Sequence, residues 1–216
     1  MKIVTIIACI FLASPTFCQN SYYFSNPLPT EEKKVSTVDK KWFGEYKDSE
    51  RSLSYVFSEE GITAVSTQVS SISKKSVRES SKYTIKDDYI FGVVEGDSLR
   101  CVYEKGYYHF GIRNRDAVIS PYSSAQLTRI NDREYIINFN ENGKFLPVKI
   151  LFSNGKMTMS DFDYEPDQNA FSFIESQRKT TENSQNIIVL SPTQEEFDQL
   201  SSKFFVERST FSLITE

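Results

Sequence analysis

Histidine and cysteine are nearly absent from this chain, which contains one histidine and three cysteines in 216 residues. Histidine is the usual general base near neutral pH, so His109 alone would have to supply that chemistry. A glycine-rich phosphate loop and a Cys/His zinc arrangement are also missing. These absences argue against most hydrolytic, nucleotide-binding and zinc-dependent activities, and we identify no catalytic residue, no metal site and no cofactor in the sequence.

Cys101 and His109 are the one nucleophile and base pair that the sequence could offer. They flank the turn signal Lys105-Gly106, and a two-residue loop there pairs Cys101 with Phe110, which turns His109 to the opposite face. A nucleophile is activated only by a base within its reach. We therefore interpret Cys101 as a small buried residue and His109 as a surface residue.

Long apolar runs are missing too, apart from a short one at the amino terminus. One lysine precedes the run Ile3–Ala13, which is too short to cross a bilayer and is typical of a secretory signal. Small residues at the positions that the peptidase reads favour cleavage after Cys18. We therefore predict a signal peptide over 1–18, export to the periplasm or the extracellular space, and no transmembrane segment in the mature chain. Lipid anchoring at Cys18 is the alternative, although Phe17 is large for a residue that precedes a lipid-modified cysteine.

Basic residues are not in excess. Removal of residues 1–18 leaves 24 basic and 29 acidic side chains. Nucleic-acid-binding proteins normally present a basic face, whereas acids are interleaved with the lysines throughout this chain, so we expect no nucleic-acid partner.

One acidic series has the alternate spacing of a calcium loop, and it consists of Asp161, Asp163, Glu165 and Asp167. Pro166 stands where an EF-hand requires glycine, which excludes that motif. We interpret the series as a solvated acidic loop, with weak calcium binding as the alternative.

Residues 19–39 are polar and contain Pro27 and Pro29, and we interpret them as a tether between the cleavage site and the domain. No comparable break follows. Residues 40–216 are therefore expected to form a single β-rich domain.

Two Asn-Gly dipeptides, Asn142-Gly143 and Asn154-Gly155, predict two successive β-hairpins. Two-residue loops at both positions fix the register of the three strands around them. One face then collects the apolar side chains of Tyr135, Ile137, Phe139, Leu146, Val148, Ile150, Phe152, Met157 and Met159. The other face receives Asn138, Asn140, Lys149, Thr158 and Ser160. Because two independent turns agree, we predict that the apolar face is buried.

Further hairpins are expected at Lys105-Gly106, Asp87-Asp88 and Glu60-Gly61. The first of these pairs Tyr103 with Tyr108, Cys101 with Phe110 and Leu99 with Ile112. Additional strands over 42–47, 126–130 and 171–177 bring the count to about nine or ten. The sequence therefore predicts a mainly β fold, an antiparallel meander barrel or sandwich.

One helix is predicted at about 192–204, near the carboxyl terminus. Ser191 is a suitable N-cap, and Gln194 three residues later completes a capping box. An apolar stripe at helical spacing, formed by Phe197, Leu200 and Phe204, predicts that the helix packs against the sheet. A buried strand over 187–190 and an edge strand over 205–214 are expected on either side.

The segment Trp42-Phe43-Gly44-Glu45-Tyr46 opens the first strand of this hairpin-rich chain. It resembles the start of the lipocalin-like or calycin-like β-barrel domains of bacterial secreted proteins, in which a tryptophan near a glycine closes the bottom of the barrel. The lipocalin pattern is Gly-x-Trp, whereas the order here is Trp42-x-Gly44. The resemblance implies a barrel with Trp42 at its closed end.

Aromatic and methionine side chains on the predicted inner face favour binding of an apolar small molecule or lipid in the barrel. The side chains expected to line that interior belong to Trp42, Tyr103, Tyr108, Phe110, Tyr135, Phe152, Met157 and Met159. The alternative is a non-catalytic interaction or structural module of the cell envelope with an envelope protein as partner, in which the same side chains only fill the core. A hydrolase whose site the sequence does not reveal is a third alternative.

Overall fold

The computed structural model describes residues 21–30, 34–162, 170–182 and 185–214. The predicted signal peptide with Cys18, and the acidic residues Asp163, Glu165 and Asp167, lie outside these ranges. The described chain forms sixteen strands, two α-helices and one 3-10 helix. In chain order they are β1 (Ser21–Phe24), β2 (Lys34–Val35), the 3-10 helix (Lys40–Trp42), β3 (Gly44–Asp48), β4 (Leu53–Ser58), β5 (Gly61–Ser73), α1 (Lys74–Glu79), β6 (Thr84–Lys86), β7 (Tyr89–Phe91), β8 (Ser98–Glu104), β9 (Tyr107–Ile119), β10 (Gln126–Arg129), β11 (Glu134–Glu141), β12 (Lys144–Ser153), β13 (Lys156–Phe162), β14 (Gln177–Glu182), β15 (Gln185–Leu190), α2 (Gln194–Lys203) and β16 (Phe205–Leu213).

The strands join one continuous sheet that is not closed into a barrel. Its order is β14-β15-β1-β12-β13-β16-β3-β4-β5-β9-β8-β7-β6, and β11, β10 and β2 branch from β12. Neighbouring strands are antiparallel, but β1 and β15 are parallel. The predicted mainly β class is confirmed, whereas the closed barrel is wrong and sixteen strands replace nine or ten within the described residues.

The two longest strands, β5 and β9, explain why the sheet does not close into a barrel. They pair with each other from Ile62 and Ile119 to Ser73 and Tyr107. The second edge of β9 pairs with β8 over Tyr107–Phe110 only, and no other described strand bonds to it. The sheet therefore curls without closing onto β10 or β2, and the outer halves of β5 and β9 carry β8, β7 and β6 instead.

The hairpins at the two Asn-Gly turns have the predicted register. Asn142 and Asn154 both adopt positive φ, 53° and 51°, as a type I′ turn requires. Ile137 lies opposite Val148 in the first hairpin, and Phe152 lies opposite Met157 in the second.

The body core fills the curl of the sheet and is one of two cores that share β11, β12 and β13. It draws side chains from both ends of the curl, including Ile119 of β9 and Leu127 of β10. Five members of the predicted apolar face are buried in it: Tyr135, Ile137, Ile150, Phe152 and Met157. Leu146, Val148 and Met159 are only partly buried, and Phe139, near the hairpin tip, is 36% exposed.

The opposite face of the same strands is also covered, because α2, β1 and residues 170–176 pack against it. Phe197 and Leu200 of α2 and Ile136 of β11 belong to this second core. The apolar stripe of the helix therefore packs as predicted. Asn138 and Ser160, assigned to a polar face, are buried by the same elements.

Residues 21–30 and 34–38 are integrated in the fold and do not form the predicted tether. β1 pairs with β15 in register over Ser21–Phe24 and meets β12 at Phe145. Leu28 and Val38 are buried. Pro27, Pro29 and the charged residues at 31–34 indicated a tether. The alternating apolar residues of β1 span only four positions, too few for a periodic signal.

Three further predictions near the carboxyl terminus are wrong in detail. The helix begins two residues later than predicted, with Thr193 and Glu196 forming the capping box. Residues 171–176 form turns, and the strand starts only at Gln177. β16 is not an edge strand, because it pairs with β13 on one side and β3 on the other. The buried strand over 187–190 is confirmed as part of β15.

The arm, which we define as residues 67–113, contains the outer halves of β5 and β9 with α1, β6, β7 and β8. Its own small core is formed by Ile90, Cys101 and Phe110. Cys101 lies opposite Phe110 and Tyr103 opposite Tyr108, as predicted, whereas Leu99 pairs with Ile90 of β7. The Asp87-Asp88 hairpin is also confirmed, with positive φ at both aspartates.

Candidate binding groove at the open side of the sheet

The eight residues predicted to line a barrel interior do not share one cavity. Five of them lie in or against the body core, and these are Trp42, Tyr135, Phe152, Met157 and Met159. The Trp42 ring stacks on Phe152 with centroids 5.1 Å apart, and its Nε1 donates to the carbonyl of Asp132 at 2.7 Å. Tyr135, Phe152 and Met157 have no exposed surface. This part of the interior is filled by its own side chains.

The other three predicted residues, Tyr103, Tyr108 and Phe110, belong to the arm. Phe110 and Tyr108 pack in the arm core, whereas Tyr103 is 51% exposed. These three residues lie on one hairpin, and the sequence predicted correctly that they share a face. The alternation of side chains along a strand does not show which core that face meets, so they were wrongly assigned to the body interior.

A groove of about 820 Å³ lies where the curled sheet fails to close. β2 and β10 form one wall, and the end of β9 with the β4–β5 turn forms the other. Its apolar lining comes from Val35, Ile119, Pro121, Tyr122, Ala125 and Leu127. None of these residues was predicted as a site, because the groove arises from the absence of pairing between β9 and β10, which leaves no local pattern in the sequence.

Serine side chains hold the β9–β10 connection at the mouth of the groove. The Ser120 amide donates to Ser123 Oγ at 3.1 Å, and the Ser123 amide donates back to the Ser120 carbonyl at 3.2 Å. These bonds fold the loop tightly on itself. Tyr122 lies at the lip and is 98% exposed, so an incoming ligand could contact its large aromatic side chain.

Two close contacts fix the opposite wall. A Cβ built on Gly61, at φ +128°, would stand 2.0 Å from the carbonyl oxygen of Ile119, so only glycine allows β5 and β9 to approach this closely. Thr37 Oγ1 donates to the carbonyl of Ser58 at 2.6 Å and ties the chain after β2 to the β4–β5 turn. The groove wall is therefore built on strand ends that are held in place.

Charged groups surround the apolar floor. Glu59 and Glu60 stand on one side and Lys34 on the other. Glu59 also pairs with Lys40 at 2.6 Å, but both side chains are largely exposed, which makes the pair weak. The arrangement suits a molecule with an apolar body and a neutral or cationic polar group, because an anion would face two carboxylates.

The predicted separation of Cys101 and His109 is confirmed, since Cys101 lies opposite Phe110 and His109 opposite Val102 on the other face. Burial, with the Asp88 carboxylate as a smaller cause, raises the pKa of the Cys101 thiol, which disfavours the reactive thiolate. His109 Nδ1 instead bonds to Ser71 Oγ at 2.6 Å on the exposed face of the arm.

Within the described ranges, no cluster of three or more His, Cys, Asp or Glu side chains could hold a metal ion. Asp161, the described member of the acidic series, is exposed on β13 with Arg208 at 4.0 Å. Neither helix in the described residues combines the length and apolar character needed to span a membrane. Comparisons with protein-family models, with curated proteins and with solved structures found no match.

Proposed function

We propose that this chain is an exported, non-catalytic protein that binds an apolar small molecule or lipid in the groove at the open side of the sheet. The observation that carries the proposal is the groove itself: about 820 Å³, with Val35 and Ala125 in its walls and Tyr122 at its lip. Ligand sites of soluble proteins usually measure roughly 300–1,000 Å³ and combine apolar walls with a few polar groups. The proposed ligand site is therefore this groove and not the body core, which is filled by its own side chains.

A neutral apolar fluorophore, N-phenyl-1-naphthylamine, tests this proposal in a titration with the purified protein. We expect saturable fluorescence enhancement. Ala125→Trp, which places an indole in the groove, should weaken binding at least about tenfold, since the ring occupies the apolar volume that the probe needs. Tyr122→Ala should weaken it several-fold without loss of stability, because that side chain makes little contact with the rest of the fold.

The matched control is Gln199→Trp, a tryptophan introduced at an exposed position of α2, away from the groove and the arm. This variant should bind the probe like the unmodified protein. Probe binding that survives Ala125→Trp but is lost in Met159→Trp would move the ligand to the body core. Absence of any saturable binding would refute the small-molecule function.

The second candidate function is an interaction module of the cell envelope. It is favoured by the arm, on which several large hydrophobic side chains are exposed. This function does not depend on the groove, so the two candidates can be tested separately.

A further inference from the structure

The exposed apolar residues of this protein are concentrated on the arm. Of the eleven large hydrophobic side chains that are exposed in the described residues, seven lie between Val69 and Tyr107. Scattered single residues of this kind are normal on protein surfaces, whereas a contiguous group marks a contact surface. Among the described residues, the arm is therefore where we expect a contact surface for a partner.

The strand register places five of these seven side chains on a single face. Side chains of directly paired residues point to the same side of a sheet, as do alternate residues along one strand. Val102 lies opposite His109, and Tyr107 precedes His109 by two positions on the same face. Val69, Tyr89 and Phe91 belong to this face through the neighbouring pairs. Their exposed fractions run from 40% for Phe91 to 72% for Val69. We call this surface the outer arm face; the arm core lies on the other side of the same strands.

Positive charge accompanies these apolar residues. The same register puts Lys86 opposite Tyr89, Arg100 beside it, and Arg113 and Arg115 further along β9 on the outer arm face. Arg113 lies 3.5 Å from Glu45, and Glu104 on this face is paired with Lys105 at 3.2 Å. Lys86, Arg100 and Arg115 have no acidic partner within 4 Å among the described side chains. A chain with more acids than bases thus gathers cations on one apolar face.

We propose that the outer arm face binds an anionic lipid surface. Tyrosine and phenylalanine are suited to the boundary between headgroups and acyl chains, and basic side chains beside them are attracted to anionic headgroups. A lipid surface needs no complementary shape, which fits an open sheet face. This inference rests on the interaction function, gives its partner a chemical class, and is independent of the groove.

Co-sedimentation with vesicles tests the proposal. The purified protein should sediment with vesicles of phosphatidylcholine mixed with phosphatidylglycerol, much less with phosphatidylcholine alone, and less at high salt. Arg100→Gln with Arg115→Gln should weaken binding about 25-fold, because each basic residue near an anionic surface contributes about a factor of five. Val102→Ser with Tyr107→Ser should weaken it roughly tenfold by removing apolar contact.

Arg133→Gln with Arg178→Gln is the charge-matched control, because both arginines are exposed outside the arm; it should bind the mixed vesicles like the unmodified protein. Equal thermal unfolding of all variants verifies that the fold is intact. The proposal is overturned if the unmodified protein stays in the supernatant, if arm and control variants bind equally, or if the arm binds soluble polyglutamate but no vesicles, which would indicate an acidic protein partner. N-phenyl-1-naphthylamine binding is measured on the same samples, so failure here leaves the groove function standing.

Discussion

Asp48 shows how much one side chain contributes to the connection between β3 and β4. Its Oδ1 accepts from the amides of Glu50 and Arg51 at 2.8 and 2.9 Å, and its Oδ2 accepts from Arg51 Nε at 2.7 Å. The Arg51 side chain, followed by the two amides, lowers the pKa of Asp48 from 3.8 to about 2. The ionised carboxylate is therefore the form that the turn requires.

The depressed pKa predicts the direction of a pH effect. A lowered carboxyl pKa in the folded state adds stability that is complete above the ordinary value and is lost as the pH falls through the folded value. We expect the free energy of unfolding to fall between pH 4 and pH 2, and Asp48→Asn to show a shallower fall in urea denaturation, because its side chain does not titrate. The control Asp116→Asn, at an exposed site, should follow the unmodified curve; parallel curves for Asp48→Asn would contradict the assignment.

At the scale of single residues, the sequence predicted the conformations that depend on a residue's own backbone. Asn142, Asn154, Asp87 and Lys105 all adopt the positive φ that their turns predicted. Asn138 was assigned to a polar face, yet it is fully buried. The backbone groups that it bonds, the Leu28 amide and carbonyl, are 110 positions away, and no local pattern contains them.

At the scale of elements, Asn138 holds the segment that follows β1 onto the sheet. It accepts from the Leu28 amide at 2.8 Å and donates to the Leu28 carbonyl at 2.9 Å. Both residues are fully buried. The amide side chain thus replaces a strand partner for an irregular segment that would otherwise bury two unpaired backbone groups.

Asn138→Ala should therefore destabilise the protein by about 2 to 4 kcal/mol, because two buried backbone groups lose their partners. Chemical denaturation measures the difference. Asn114→Ala on β9, a partly exposed position, is the matched control and should change stability by less than about 0.5 kcal/mol. Similar losses in both variants would show that the Leu28 bonds do not hold the segment.

The start of α2 shows why element boundaries were harder to predict. Ser191 with Gln194 and Thr193 with Glu196 have the same capping spacing, and the structure uses the second pair. Glu196 bonds to the Thr193 amide at 2.7 Å and also to the Glu175 amide at 2.8 Å. This second bond links the helix to residues 170–176, and it decides between two locally equivalent caps.

At the scale of the whole molecule, the protein has a body with two cores and an arm with a much smaller one. Only Ile90, Cys101 and Phe110 are buried in the arm core, whereas residues from nine strands meet in the body core. Opening free energies vary within a protein, and small cores open most readily. The arm is therefore expected to open without the body.

Hydrogen exchange should separate the two parts. Phe110→Ala should accelerate exchange of arm amides and leave those of β11 and β12 unchanged, because it weakens the arm core alone. Ile137→Ala should instead cost about 2 to 4 kcal/mol of global stability and accelerate exchange throughout the body. Uniform acceleration in Phe110→Ala would show that arm and body unfold as one unit.

The hairpins could be predicted from the sequence, but their arrangement in the whole molecule could not. Turn chemistry determines which strands are neighbours along the chain. Whether β9 closes onto β10 depends on its competing pairing with β5 and β8. The groove depends on that competition, which explains why the side chains that line it could not be predicted from the sequence.

The parallel pairing of β1 with β15 also constrains how the molecule can assemble. Ser21–Phe24 pair with residues 187–190, and β3 pairs with residues 211–213 of β16. Both pairings join segments from opposite ends of the described chain. Bringing such distant segments together requires a large loss of chain entropy before the contacts form, which makes folding slow. A chain synthesised from its amino terminus therefore cannot complete the body until residues 187–213 have followed, so the early strands β1 and β3 must wait for their partners while the ribosome makes the rest of the domain.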